Sequence, residues 1–262
     1  MLQKKVDLLN VLSDIEIAQG MKESGEKLTN TQEEEDIEEI DNPIDVNYKQ
    51  LCNDIKPIDK NDYEYSMIEK YIHSTSPKLK VKHLYTIDRE GEKERFHEHK
   101  DLGNRKLLWH GTNVAVVCAI LKTGLRIMPH SGGRVGRGLY FASENDKSAG
   151  YVGTSGDNLG IMFLNEVALG NEYHITEDDS SLRCAPKGYD SVVAQGRTEP
   201  VSYGDDTIQG DYGSITVPVG KVENRNQYSK SYFSQTEYLV YKESQVRMKY
   251  MCLIDFSNRY GW

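Results

Sequence analysis

The sequence predicts an α+β fold, with a mostly helical front and a strand-rich back two thirds, on three observations. Apolar residues recur at helical spacing near the N-terminus, and short runs rich in aromatic and β-branched residues dominate after residue 82. Only one further clear helix, Ala115 to Lys122, interrupts those runs. The two kinds of element segregate along the chain instead of alternating, which is the α+β pattern.

Val6, Leu8, Leu9, Leu12, Ile15 and Ile17 would share one face of an amphipathic helix from Lys4 to about Met21. Between Ser24 and Asp41, eight acids stand against Lys27 alone. Like charge with little apolar surface cannot offset the entropy of ordering, so residues 24–41 are expected to form a disordered loop. Order returns at Pro43, where Asp45 or Asn47 can cap a short helix through Ile55 and Asn61 can cap another to about His73. Ser74 to Lys82, with Pro77 inside it, reads as a linker. The expected strands are His83–Asp88, Leu107–His110, Gly138–Ala142, Gly160–Leu169 and Tyr238–Tyr241, with Gly124 as the stop of the helix before it.

Composition narrows the function classes. The 262 residues carry a net charge of −9, most of it in the acidic tract, and no basic stripe of the kind that phosphate neutralisation needs. Cys52, Cys118, Cys184 and Cys252 are far apart, with no pair at a metal-ligand spacing. That argues against a zinc site and for a reducing compartment, each thiol reading as buried. No stretch reaches the roughly 18 apolar residues that a membrane span requires, and a soluble intracellular protein is expected.

Three segments put polar residues at the ends of apolar strands, where side chains can face a cleft. They are Leu107 to Thr112, Gly138 to Ser143 and Glu237 to Tyr241. Singly each has a bland reading: a satisfied structural histidine at His110, a packing tyrosine at Tyr140, an exposed acid at Glu237. The loop from Met128 to Arg137 holds Gly132, Gly133 and Gly136 with Arg134 and Arg137, and it lacks the Gly-x-Gly-x-x-Gly spacing of a dinucleotide-binding fingerprint.

Together with their flanks, these segments closely resemble the His-Tyr-Glu signature of the poly(ADP-ribose) polymerase superfamily, over about Lys82 to Asp255. Gly124 to Ile127, Asp146 to Tyr151 and Leu164 to Gly170 match further blocks in the same order. Upstream, Leu12 to Ala18 and Pro43 to Tyr48 resemble later helices of the regulatory helical subdomain of the DNA-damage-responsive members. His130 to Gly136 and Ser234 to Tyr238 look most like the mainly mono-ADP-ribosylating member of that branch.

The resemblance implies an ADP-ribosyltransferase fold of two packed, mostly antiparallel β-sheets with few helices over residues 78–258, preceded by a partial helical regulatory subdomain over 1–77. It implies NAD⁺ as co-substrate, no metal, protein acceptors that include the enzyme itself, and a nuclear role in the DNA-damage response. Cleaving the glycosidic bond of NAD⁺ expels neutral nicotinamide and leaves positive charge on the ribose, so a carboxylate is wanted. By resemblance Glu237 is that acid, with Lys147 beside it as counter-charge. His110 would bond an adenosine-side ribose hydroxyl, and Gly111 would meet the carboxamide with its backbone, Ser148 completing the contact. Tyr151 would stack on the nicotinamide ring with Tyr140 flanking it. Arg126 would lie near the adenosine end, Thr112 and Ala142 would complete the pocket, and the Met128–Arg137 loop would line the donor site. His110, Tyr140 and Glu237 form the expected catalytic set.

The early helices of the regulatory subdomain and the tryptophan-glycine-arginine-rich domain of that branch find no match here. A remnant of this size is expected to restrain NAD⁺ access poorly and to give basal activity without DNA. Two alternatives remain: a poly-ADP-ribosylating enzyme, and a catalytically silent NAD⁺- or ADP-ribose-binding scaffold.

Overall fold

The computed structural model describes residues 12, 15–17, 19, 20, 42–128 and 132–258. The acidic tract and most of the first expected helix lie outside the described residues, though residues 12, 15–17, 19 and 20 are helical. The helices are α1 (Pro43–Gln50), α2 (Tyr63–His73), α3 (Glu92–Phe96), α4 (Val117–Thr123) and α5 (Asn145–Ala149). The strands are β1 (Asn53–Pro57), β2 (Lys80–Arg89), β3 (Arg105–Gly111), β4 (Gly132–Gly133), β5 (Gly136–Arg137), β6 (Leu139–Ala142), β7 (Leu159–Ala168), β8 (Glu172–Ile175), β9 (Ser191–Ala194), β10 (Thr198–Pro200), β11 (Asp206–Gly210), β12 (Gly213–Val217), β13 (Val222–Asn224), β14 (Glu237–Val240) and β15 (Val246–Asp255).

Hydrogen bonding runs in the order β1-β2-β15-β7-β3-β6-β14-β9-β8, with β12 and β11 attached beside β3. All neighbours on this path are antiparallel except β8 with β9, and β12 meets β3 in parallel. Between β3 and β6 the register shrinks to one pair, Trp109 opposite Ala142. That narrow joint divides the strands into two halves that fold onto each other. Leu108, Phe163, Val167 and Met248 from one half pack with Leu139, Phe141, Val193, Tyr238 and Val240 from the other. The α+β fold of two packed, mostly antiparallel sheets is therefore what the chain forms.

The outer face of the larger half is covered by α2, which buries Tyr65, Met67, Ile68, Tyr71 and Ile72. Tyr71 sets its ring 5.0 Å from that of Trp109 and donates its hydroxyl to the Leu107 carbonyl at 3.0 Å. Full burial of such side chains contributes about 1.5–3 kcal/mol each, so α2 is part of this core. The boundary expected at residues 77 and 78 lies between α2 and β2.

Several local expectations are corrected. The cap of α1 is Asn42, whose Oδ1 accepts from Ile44 N at 3.0 Å, with Pro43 in the first turn where its missing N–H costs nothing. The helix does not reach Ile55: Cys52 turns left-handed at φ 49°, and 53–57 pairs as β1 with β2, Ile55 opposite Ile87. Asn61 spends its amide on Asp59, and Asp62 takes the position before α2. The expected linker from Ser74 to Lys82 already enters β2 at Lys80. Cys52, Cys118 and Cys184 are exposed, and only Cys252 is a buried thiol. Gly124 does stop α4, at φ 77°, with its N–H donated to the Ile120 carbonyl at 2.8 Å.

Candidate active site

The ends of β3, β6 and β14, the short helix α5 and the glycine loop enclose a cleft of about 380 Å³. Its lining includes His110, Gly111, Tyr140, Ala142, Lys147, Ser148, Tyr151 and Glu237, eight of the ten residues expected from sequence. Gly133, Arg134 and Phe141 also line it. The first two belong to the glycine loop already singled out; Phe141, an apolar residue inside a strand, reads in the sequence as core. Thr112 and Arg126 are not among the lining residues: Thr112 is buried just beyond β3, and Arg126 is half-buried after the stop of α4. His130, read as part of that loop's resemblance, lies outside the described residues.

Strand register brings the acid to the site. Glu237 opens β14 between two neighbours, opposite Ala142 of β6 on one side and Ala194 of β9 on the other, and only 6% of it is exposed. Two small partners leave room for the carboxylate. Lys147, on α5, places Nζ 2.7 Å from Glu237 Oε1, a charge-assisted contact in a poorly hydrated setting.

His110 ends β3 with Nδ1 3.0 Å from the Tyr140 carbonyl oxygen. That oxygen can only accept, so Nδ1 carries the proton and Nε2 of the neutral ring is left as an acceptor. Burial holds the imidazole below its ordinary proton affinity, and the bond to Tyr140 offsets this only in part. The ring lies 5.7 Å from that of Phe141.

Tyr140 fastens the glycine loop. Its hydroxyl donates to the Gly136 carbonyl at 2.6 Å and accepts from Val135 N at 3.1 Å, and burial pushes the phenol up to about 12. A Cβ at Gly133 would come within 2.7 Å of that hydroxyl, so only glycine lets the loop lie this close. Arg134 holds the outer side of the loop, bonding Asp178 Oδ1 at 2.9 Å through Nε and lying over the Phe233 ring at 4.4 Å.

Gly111 is needed for a reason the sequence did not suggest. A Cβ there would meet the Ser148 carbonyl oxygen at 2.0 Å, so its close approach is to the chain itself, to α5, as well as to whatever the cleft holds. Ser148 donates its hydroxyl to the Trp109 carbonyl at 3.0 Å, which leaves the oxygen lone pairs as acceptors. Tyr151 stands at the mouth, 67% exposed. Among the described residues, no group of three or more His, Cys, Asp or Glu is placed to hold a metal ion.

A neutral imidazole, a set of backbone and hydroxyl acceptors, an exposed aromatic face and a lysine-paired carboxylate converge here from strands distant in sequence. This is the catalytic-domain architecture of the ADP-ribosyltransferases, and the poly(ADP-ribose) polymerase catalytic domain model matches residues 62–257. The chain belongs to the poly(ADP-ribose) polymerase family. It is 50% identical over 257 residues to the protein mono-ADP-ribosyltransferase PARP3 of Mus musculus, covering 95% of this chain and 47% of that protein. The PARP3 of Homo sapiens is 47% identical over 257 residues, 96% of this chain and 47% of its own length. Poly(ADP-ribose) polymerase 1 of Gallus gallus is more distant, 36% identical over 271 residues, 98% of this chain and 25% of its own. The chain spans about half the length of the mono-ADP-ribosyltransferases it matches.

Proposed function

We propose that this chain is an NAD⁺-dependent protein ADP-ribosyltransferase that attaches single ADP-ribose units to protein acceptors, itself included, and releases nicotinamide. The observation that carries the reading is the Lys147–Glu237 pair inside a cleft framed by His110, Tyr140 and Tyr151. Mono-ADP-ribosylation is favoured because the PARP3 relatives, at 47–50% identity, are named mono-ADP-ribosyltransferases. A nuclear setting and a link to DNA breaks complete the proposal on the strength of the resemblance to that branch.

In this reading the nicotinamide ring stacks on Tyr151 with Tyr140 at its edge, and its carboxamide bonds Ser148 and the Gly111 backbone. His110 Nε2 accepts a hydroxyl of the adenosine-side ribose, and Arg126 lies toward the adenosine end. Holding the dinucleotide so that its anomeric carbon faces the acid contributes on the order of 7–11 kcal/mol. As the C–N glycosidic bond breaks, the electron pair leaves with nicotinamide, and Glu237 stabilises the cationic ribose through a ribose hydroxyl. The acceptor nucleophile then bonds the anomeric carbon while Glu237 takes up the proton it gives off and passes it on to water.

Labelled NAD⁺ incubated with the protein tests this by gel and mass spectrometry. A discrete small shift carrying one ADP-ribose mass per site is expected, with equimolar nicotinamide. A smear would indicate the polymerising alternative, and bound NAD⁺ without nicotinamide release would indicate a silent scaffold.

A further inference from the structure

The catalytic proposal assigns nothing to Glu144, yet this carboxylate is 4% exposed and carries two directed hydrogen bonds. Thr198 Oγ1 donates to its Oε1 at 2.7 Å and Gln235 Nε2 donates to its Oε2 at 3.0 Å. The register explains the second bond. Ala142 of β6 faces Glu237 of β14, and the same antiparallel register continued two residues outward sets Glu144 opposite Gln235. Where the backbone ladder stops, at Ala142 and Glu237, the two side chains carry the pairing on.

Glu144 is also the residue from which α5 starts, its carbonyl accepting Lys147 N at 3.2 Å. One residue is therefore tied to both members of the Lys147–Glu237 pair: through its main chain to the turn that carries the lysine, and through its side chain to the start of the strand that carries the acid. The remaining bonds draw the same segment tight. Gly196 donates its N–H to Thr236 Oγ1 at 3.0 Å, and a Cβ on Gly196 would come within 2.2 Å of Thr236 N.

We infer that Glu144 is a positioning residue that sets the separation of Lys147 and Glu237 by clamping the ends of β6, β10 and β14 together. It touches neither the dinucleotide nor the acceptor in this scheme and acts through Gln235 and Thr198. A buried carboxylate suits the task because both its oxygens accept and both its partners are donors, so losing it leaves two donors in a tight, largely dehydrated seam. The inference rests on the reading of Glu237 as the catalytic acid.

The test is steady-state kinetics on the whole chain carrying Glu144→Ala, Glu144→Gln, Gln235→Leu, or Glu144→Ala with Gln235→Leu, with thermal melts beside them. Since misplacement of a reacting group by about 1 Å can cost on the order of 10²-fold, Glu144→Ala should lower kcat by about tenfold or more. The KM for NAD⁺ should stay within about twofold, because the groups that frame the dinucleotide are untouched. Glu144→Gln should recover most of kcat, its carboxamide oxygen accepting one partner while a rotated Gln235 amide accepts the new N–H. Gln235→Leu alone should reproduce the kcat loss, and the double variant should be no worse than either single one. If Glu144→Ala folds poorly, Gln235→Leu with its unchanged Glu144 carries the same test. Unchanged kcat in Gln235→Leu, or kcat losses matched by the loss of folded fraction, overturns the inference. Failure of the underlying function looks different: Glu237→Gln would then leave transfer intact.

Discussion

Lys147 and Glu237 meet at 2.7 Å although one lies on a single-turn helix after β6 and the other on a strand near the end of the domain. The contact joins the two structural sources of the site. β14 supplies the acid through its register with β6 and β9, and the chain leaving β6 supplies its counter-charge. Glu237 is nearly enclosed, so the ammonium replaces hydration that the carboxylate has lost. Removing it, as in Lys147→Met, leaves a buried charge without its partner, a change that costs about 3–5 kcal/mol for fully buried pairs and less here because Lys147 keeps some access to water. The expected result is a lower melting temperature and a kcat reduced more than the KM for NAD⁺ rises. Calorimetry and initial rates check both.

Gly111 should tolerate no side chain. A Cβ placed 2.0 Å from the Ser148 carbonyl forces α5 away from β3, and overpacking of this kind costs about 1–3 kcal/mol. Gly111→Ala is therefore expected to lose NAD⁺ affinity by more than tenfold, about 1.4 kcal/mol, as well as some thermal stability. A titration calorimeter and a melt measure the two.

Tyr140 is expected to act through its ring and its hydroxyl separately. Tyr140→Phe keeps the ring at the cleft wall and deletes the bonds to Gly136 and Val135. Two lost hydrogen bonds cost about 0.5–1.5 kcal/mol each, so the loop should loosen and the KM for NAD⁺ should rise several-fold with a smaller change in kcat. Because burial pushes this phenol up to about 12, the wild-type profile should show no alkaline limb from Tyr140 near the ordinary tyrosine value of about 10. Hydrogen exchange at residues 132–137 and a rate profile to pH 10 report on these points.

His110 makes a signed prediction about pH. Its folded proton affinity lies below that of an ordinary imidazole, chiefly because it is buried. Between the folded value and about 6.5 the unfolded chain binds more protons. The stability this group contributes is thus fully present above about 6.5 and is lost as pH falls through the folded value. The neutral ring required by the proposed contact of His110 with a ribose hydroxyl persists over the same range. The KM for NAD⁺ should stay level from about pH 8 down to about 6.5 and rise only below that. A rise centred at or above the ordinary histidine value contradicts this, and His110→Gln should abolish the acidic limb while weakening binding.

Much of this was legible in the sequence because the site is built at strand ends. An apolar run that stops on a polar residue, as Leu107 to His110 does, marks both the strand and the direction its last side chain can take. Eight of the ten expected residues line one cleft. What escaped the sequence is set by long-range partners. β1 falls partly where the sequence predicts the end of a helix, since residues 53–57 carry no periodic pattern of their own and are held as a strand by pairing with β2. β15 is not among the expected strands, and its Arg247 is buried against Asp88 and Asp211, two acids that no local pattern around Arg247 announces. The absorption of α2 into the sheet core depends on Trp109 receiving Tyr71, which no local pattern reveals. The need for glycine at 111 likewise comes from Ser148 on α5, which is distant along the chain.

The most direct test of the account is the pair of measurements on Glu237→Gln: NAD⁺ affinity by calorimetry and single-turnover transfer of labelled ADP-ribose. Glutamine keeps the shape and loses the charge. Removing one electrostatic stabiliser of a developing ion costs on the order of 10²–10³-fold in rate, so transfer should collapse by at least that factor while affinity holds within a few fold. Transfer that survives in this variant, or binding lost in step with it, would contradict the assignment of the carboxylate as the group that makes the cleft an ADP-ribosyltransferase.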